Sequence, residues 1–254
     1  VWLLEGLAVW AVVIPIAIFG IRNRPGDVGQ FVDGDPMPAG RGPAADGTRA
    51  MALRTPYFWV LVSGTAVVGM LVTAVVFHQI SLLGERGLSS GQAAANFLPQ
   101  TAAGLTATLL VGVLVDRLRR PRLLIVAAMT VLAAALAGAT VLTPGWSAMC
   151  YGAAIGAAMG SMKAVEAALT PRLFGTAALG SIRGILAGIG VAGTALGPVL
   201  YAVAYDTTGS YTAVLLASIA LPAGVCVAAL ATPLPAHATL SRPGDKPRRA
   251  DPFS

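Results

Sequence analysis

Charge is scarce in this chain. Only 11% of its 254 residues are Asp, Glu, Lys or Arg, against about 25% in soluble globular proteins. A surface so poor in charge does not keep a chain of this length in water. The charges are also uneven, 17 Lys and Arg against 11 Asp and Glu, for a net +6. A nucleic-acid binder is basic too, but it gathers its cations on a face and has few long apolar runs. Here the cations fall in the breaks between such runs, which argues against a nucleic-acid partner. Cysteine is nearly missing. Cys150 and Cys226 both lie in apolar runs, where they are expected to be small buried residues and not a disulfide or metal ligands. The two histidines are His78 and His237. No His, Cys and carboxylate cluster has metal-ligand spacing, and no Gly-rich phosphate loop precedes a helix. Neither an enzyme, a metal nor a cofactor is expected. The start, Val1-Trp2-Leu3-Leu4-Glu5, lacks an initiator Met and the basic n-region of a signal peptide. It reads as a truncation.

What the chain does have is apolar length. Hydrophobic residues make up 56% of it. Seven runs reach the roughly 20 residues that a spanning helix needs: about 2–21, 57–83, 93–115, 122–143, 146–167, 182–205 and 212–232. They are too long and too continuous for barrel strands, and only helices and closed barrels cross a bilayer. The fold class expected is an all-α membrane protein. Sixteen of the 17 basic residues fall on one side of the alternating spans, including Arg22, Arg49, Arg117, Arg122, Arg172, Arg183 and Arg249; Arg86 stands alone on the other. The positive-inside rule puts the first side in the cytoplasm. The expected location is the cytoplasmic (plasma) membrane, with the C-terminus inside. Residues 22–56 are rich in Gly, Pro, Asp and Arg and read as a cytoplasmic linker. They divide the chain into one helix (1–21) and a six-helix domain (57–232), followed by a tail (233–254) of disordered composition.

The turn between the third and fourth runs is the most informative segment. Gly112-Val-Leu-Val-Asp116-Arg117-Leu-Arg119-Arg120 resembles the Gly-x-x-x-Asp-Arg-x-x-Arg signature of the major facilitator superfamily. Arg119 replaces the Gly usual after the Arg-x pair, and Pro121 follows. Two other segments share the resemblance. Gly197-Pro198 followed by Tyr205-Asp206-Thr-Thr-Gly209-Ser-Tyr211 resembles the end of helix eleven and its outer turn. Arg22-Asn-Arg24-Pro25-Gly-Asp27-Val-Gly29 resembles the start of the central linker in bacterial monocarboxylate-type and oxalate/formate-type members. The resemblance covers nearly the whole chain and is specific for the superfamily, not for a subfamily. It implies a major-facilitator-type six-helix half bundle plus one preceding transmembrane helix, that is, helices six to twelve. It also implies secondary active transport, by two halves rocking about a shared site. The partners would then be a small-molecule substrate with a proton or counter-substrate, membrane lipid, and the missing N-terminal helices.

Several residues are candidates for function. The resemblance implies a conformational latch at Gly112, Asp116, Arg117 and Arg120, with Asp116 meeting a helix N-terminus or pairing with Arg117. The plainer reading makes the arginines topology determinants on lipid phosphates. Gln92, Asn96 and Gln100 share one helix face at a spacing of four. Asn96 and Gln100 are either substrate-cavity residues or interhelical hydrogen-bond partners; Gln92 sits near the outer end, where water reaches it. His78 and Gln79 are also cavity candidates, and an imidazole there offers proton exchange. The alternative is an interfacial histidine bonded to a neighbour. Lys163 and Glu166 are three apart, as an ion pair on one helix face requires; both are near enough to the cytoplasm to snorkel. Glu5 reads as interfacial.

Glycine recurs every four residues at Gly152, Gly156 and Gly160, at Gly184 and Gly188, and at Gly193 and Gly197. That spacing predicts close helix packing, with Pro198 marking a bend. Two classes of function remain open. One is a transporter, of small carboxylates or of drug-like compounds. The other is a non-transporting sensor, scaffold or membrane enzyme, of which an enzyme would need convergent titratable groups.

Overall fold

Proline and glycine set the helix boundaries in the computed structural model of the chain, which describes residues 2–20, 49–118, 120–175 and 178–233. The linker segment resembling transporter linkers, Arg119, and the tail with His237 lie outside the described residues, as do the side chains of Glu5 and Asp116. The latch expected at Asp116 therefore falls outside what is described.

The chain divides into two units, 1–45 and 46–254. In the first, helix α1 (Trp2–Pro15) runs into a π-helical turn, Ile16–Gly20. Pro15 has no N–H for the helix ladder, and a widened turn beside it is a common accommodation.

The second unit is a bundle of six runs. After the short α2 (Arg49–Arg54), Pro56 opens α3 (Pro56–Phe77) at its first position, where a missing N–H costs nothing. His78 interrupts the run, which continues as α4 (Gln79–Gly84). The second run is α5 (Ser90–Ala95) and α6 (Phe97–Arg117), the third α7 (Arg122–Ala139) and the fourth α8 (Trp146–Phe174). The fifth is α9 (Leu179–Thr208), which ends on Gly209 in the left-handed conformation, φ 68°. The sixth is α10 (Thr212–Ser218) and α11 (Ala220–Ala231). Among the described residues all regular structure is helical.

Among the described residues five helices are long and apolar enough to cross a membrane: Pro56–Phe77, Ser90–Val115, Arg122–Ala139, Leu179–Thr208 and Thr212–Ala231. The chain is an all-α membrane protein on that ground. The run 146–167 was expected among the spans, and the helix that contains it, Trp146–Phe174, is not one of the five. It is long, but glycines, Ser161, Tyr151, Lys163 and Glu166 dilute its apolar character. The first run contributes only a shorter apolar helix, Gly6–Phe19.

Successive runs alternate in direction, so one end of the bundle collects arginine. There Arg122 Nη1 donates to Leu230 O at 3.3 Å, Arg172 Nη1 to Val115 O at 3.2 Å and Arg183 Nη2 to Ala167 O at 3.5 Å. Phe58 packs edge-on against Phe174 at the same end. The opposite end collects tyrosine, with Arg86 alone bridging to Ala139 O at 3.1 Å and Thr212 Oγ1 at 2.7 Å.

The packing of the six runs has an internal order. The dominant pairs are α6 with α8 and α3 with α9; α7 with α8 and α7 with α11 follow, and α3 with α8 and α3 with α11 are lighter. Exchange the first three runs with the last three, and α6–α8 maps onto α3–α9 and α7–α8 onto α3–α11, while α3–α8 and α7–α11 each map onto themselves. Because the first run starts at the arginine end and the fourth at the tyrosine end, the two triplets run in opposite directions.

Glycine makes the two dominant seams. A Cβ at Gly156 would meet the Gln100 carbonyl oxygen, one at Gly160 the Gly104 carbonyl, and one at Gly152 the Asn96 side chain. In the other seam a Cβ at Gly197 would meet Met70 O, and one at Gly193 would lie 2.8 Å from Ala66 O. Gly184 and Gly188 differ from expectation. Both are exposed, with open space where a Cβ would sit. The buried face of α9 runs Ile182, Leu186, Gly190, Gly193, Gly197, Tyr201. Residues 184 and 188 lie two positions off it, about 200° around the helix.

The cysteines also depart from expectation. Both are free, but Cys150 is exposed and Cys226 only half-buried. On a helix facing hydrocarbon, a small apolar thiol sits outside as readily as inside.

Candidate functional site

Three charged side chains of α8 and α9 meet at one place. A cleft of about 400 Å³ lies where α3, α8 and α9 come together. Val68 and Val72 of α3 and Met159 and Met162 of α8 form its apolar walls. Thr65, Thr73 and Thr194 bring hydroxyls, and Lys163, Glu166 and Arg183 bring charge.

Each position follows from helix periodicity. Thr65, Val68, Gly69, Val72 and Thr73 repeat at three and four along α3, so they form one stripe. Lys163 and Glu166 are three apart on α8, and Ala187, Gly190, Val191 and Thr194 form the matching stripe on α9. Gly69 lets α9 approach: a Cβ there would lie 3.1 Å from Gly190 O.

Glu166 is held from the neighbouring helix. Its Oε2 accepts from Thr65 Oγ1 at 3.1 Å, and no ion pair joins it to Lys163 among the described residues. The i, i+3 spacing that suggested that pair permits contact without requiring it, and Glu166 turns to α3 instead. Lys163 and Arg183 are exposed and Glu166 is half-buried. Two cations and one carboxylate leave the cleft with one net positive charge. Ionisable groups within a membrane bundle are expensive unless they face a partner or a water-filled space.

The other predicted cavity residues lie elsewhere. Asn96 and Gln100 are buried, at 4% and 7% exposure, on the α6 side facing α8. Neither lines the cleft. Both Asn96 side-chain polar atoms are without a hydrogen-bond partner among the described residues. Gln79 is buried and its Nε2 donates to Ala93 O at 2.8 Å, tying α4 to α5. Gln92 completes a capping box: Ser89 Oγ accepts from Gln92 N at 3.3 Å, and Gln92 Oε1 accepts from Ser89 N at 2.9 Å. The pattern Ser-x-x-Gln at 89–92 carries that signal in the sequence.

His78 belongs to the tyrosine end. Its Nε2 lies 3.0 Å from Pro198 O and its Nδ1 3.1 Å from Tyr211 Oη. Tyr211 Oη lies 3.4 Å from Ser81 Oγ. Tyr201 and Tyr211 flank the imidazole, with Tyr205 stacked on Tyr211. Of the signature turn, Gly112 has open space around it, and Arg117 and Arg120 are exposed.

Sequence reasoning singled out Lys163 and Glu166 but took Arg183 only as a topology marker. Thr65 and Thr194 carried no signal of their own. No protein-family model matches this chain, and no curated protein matches it. Among the described residues, no three His, Cys, Asp or Glu side chains gather as they would around a metal.

Proposed function

We propose that this chain is the C-terminal portion of a secondary active transporter of the major facilitator type, working by alternating access. Its cleft binds a small anion that has an apolar body. The reading rests above all on the ionisable cleft, which lies at the contact of α3 with α8. Those two runs are the first of each triplet, and their contact is one of those that map onto themselves under the exchange. Transporters built from inverted repeats bind substrate at the repeat interface. The choice of an anion follows from the charge count: one added negative charge neutralises Lys163, Arg183 and Glu166 together. Between a small carboxylate and a cationic drug-like compound, the cleft favours the carboxylate.

The arginine end is the cytoplasmic end on this reading, as the positive-inside rule requires, and the membrane is the plasma membrane. The second half of the cavity comes from helices outside this sequence, and the exposed Gly184–Gly188 face of α9 is available to them. The intact protein in proteoliposomes tests the proposal. An imposed gradient should drive uptake of a short-chain or aromatic monocarboxylate. Lys163→Gln should cut it by about tenfold or more, the effect of roughly 1.4 kcal/mol, without loss of folded protein. Uptake of cationic drug-like compounds that Lys163→Gln leaves unchanged would replace the anion with that substrate class.

A further inference from the structure

Threonine hydroxyls in this bundle mostly turn back on their own helices. Thr106, Thr108, Thr170 and Thr207 each donate to the carbonyl four residues earlier. That is the ordinary use of a hydroxyl in a helix away from water. Thr65 has one proton and gives it to another helix, to Glu166 Oε2 at 3.1 Å.

Packing on both sides of Thr65 sets that direction. A Cβ at Gly64 would lie 2.8 Å from Met162 Cε, so glycine at 64 is what lets α8 come close to α3 here. Met162 is one turn before Glu166 on the same face of α8. On the other side, a Cβ at Gly190 would lie 3.3 Å from Thr65 Cγ2. The threonine methyl therefore lies toward α9 and its hydroxyl toward α8.

The consequence is electrostatic. Lys163 precedes Glu166 by three residues, a spacing at which opposite charges on a helix pair. Arg183 reaches the same stretch of α8: its Nη2 donates to Ala167 O at 3.5 Å, one residue past Glu166. Among the described residues, neither cation forms an ion pair with Glu166. The carboxylate has two cations near it and rests on a neutral hydroxyl. A carboxylate on α8 and one carried by a substrate are the same chemical group, and they compete for the same ammonium. With Glu166 on Thr65, Lys163 is left to the substrate. With Glu166 on Lys163, the substrate's place is filled from within the chain.

We propose that Glu166 is a tethered competitor for the anion position at Lys163, and that Thr65 is the positioning residue that holds it off. The identity of the ligand rests on the transport reading above; the hold of Thr65 on Glu166 does not, and one arm of the test needs no anion.

That arm is zero-length cross-linking of the intact protein in nanodiscs with a hydrophobic carbodiimide. Mass spectrometry of the α8 peptide reads the amide formed when the Glu166 carboxyl touches the Lys163 amine. The second arm is equilibrium binding of radiolabelled benzoate. Thr65→Val keeps the shape of the side chain and removes the donor. It should raise the Glu166–Lys163 cross-link severalfold and weaken benzoate binding by about tenfold, the worth of a hydrogen bond to a charged group. Thr65→Ala removes the same donor and should act alike, and Thr65→Ser restores the donor and should recover both readings. In the Glu166→Gln background no carboxylate is left to compete. There Thr65→Val should change benzoate binding by less than about twofold, a dependence that a merely structural threonine would not show. An unchanged cross-link in folded Thr65→Val and Thr65→Ala would overturn the proposal. So would a loss of benzoate binding that is as large with Glu166→Gln as without it. A cross-link that rises as stated in a protein that binds no benzoate would reject the anion reading and keep Thr65 as the group that positions Glu166.

Discussion

The two glycine seams are built alike and finish differently. In the α6–α8 seam, Gly152, Gly156 and Gly160 lie directly on the backbone of the run from Asn96 to Gly104. Thr108 Oγ1 donates to Gly104 O at 2.8 Å and lies 3.3 Å from Gly160 O, closing the contact. Polar side chains in this seam, Asn96 and Gln100, are buried within it. In the α3–α9 seam, Gly190, Gly193 and Gly197 lie on Thr65, Ala66 and Met70. This seam opens into the cleft along Thr65, Gly69, Gly190 and Thr194, and it ends at Pro198 and His78. One seam fixes two helices; the other borders every charged group of the cleft and holds the proline. Close packing and mobility are separate properties, and the proline and the cleft set them apart here.

The strongest way to break that comparison is Gly156→Ala. The added carbon would fall on the Gln100 carbonyl, and backbone on both sides cannot move aside locally. Overpacking of this kind costs roughly 3 kcal/mol, so the thermal midpoint in detergent should drop sharply. Gly197→Ala meets Met70 O in the same way, but α9 can yield at Pro198. We expect a loss of about 1–2 kcal/mol, smaller than for Gly156→Ala. Equal losses would mean that the two seams are equally rigid. Gly190→Ala is milder again. Its nearest neighbour is Thr65 Cγ2 at 3.3 Å, a side chain that can turn, though turning it disturbs the Thr65–Glu166 hydrogen bond. Stability should change by less than about 1 kcal/mol, while anion binding changes severalfold. The smallest effect belongs to Gly188→Ala. With no neighbour within 4 Å, the substitution should stabilise the isolated chain by about 0.5–1 kcal/mol through helix propensity alone.

The contrast between Gly156 and Gly188 shows how much the sequence made legible. Period-four glycine is visible in both places, but spacing alone does not say which side of a helix is turned inward. That depends on the neighbour, and for α9 the buried side is set by α3. The helical runs themselves were legible from their length, because a bilayer imposes length and composition together. Trp146–Phe174 meets the length rule but not the composition rule, because glycines that pack it against α6, with Lys163 and Glu166, lower its apolar character. At the cleft, Lys163 and Glu166 stood out as charges within an apolar run. Arg183 did not, since it sits at a helix start where topology alone explains it. Asn96 and Gln100 were legible as polar residues on one face, facing either a cavity or a neighbouring helix, and spacing alone did not choose, because a polar stripe toward a cavity and one toward a helix read alike.

The central claim is that the α3–α8–α9 cleft opens to each side of the membrane in turn. Its most direct test is a single cysteine at Thr194 in the intact protein, with Cys150 and Cys226 replaced by alanine. A membrane-impermeant thiol reagent is applied from one side or the other in oriented vesicles. Alternating access predicts labelling from either side, and a bound monocarboxylate should slow both reactions. Labelling confined to one side, unchanged by any gradient or anion, would contradict the account and leave the chain a static membrane scaffold.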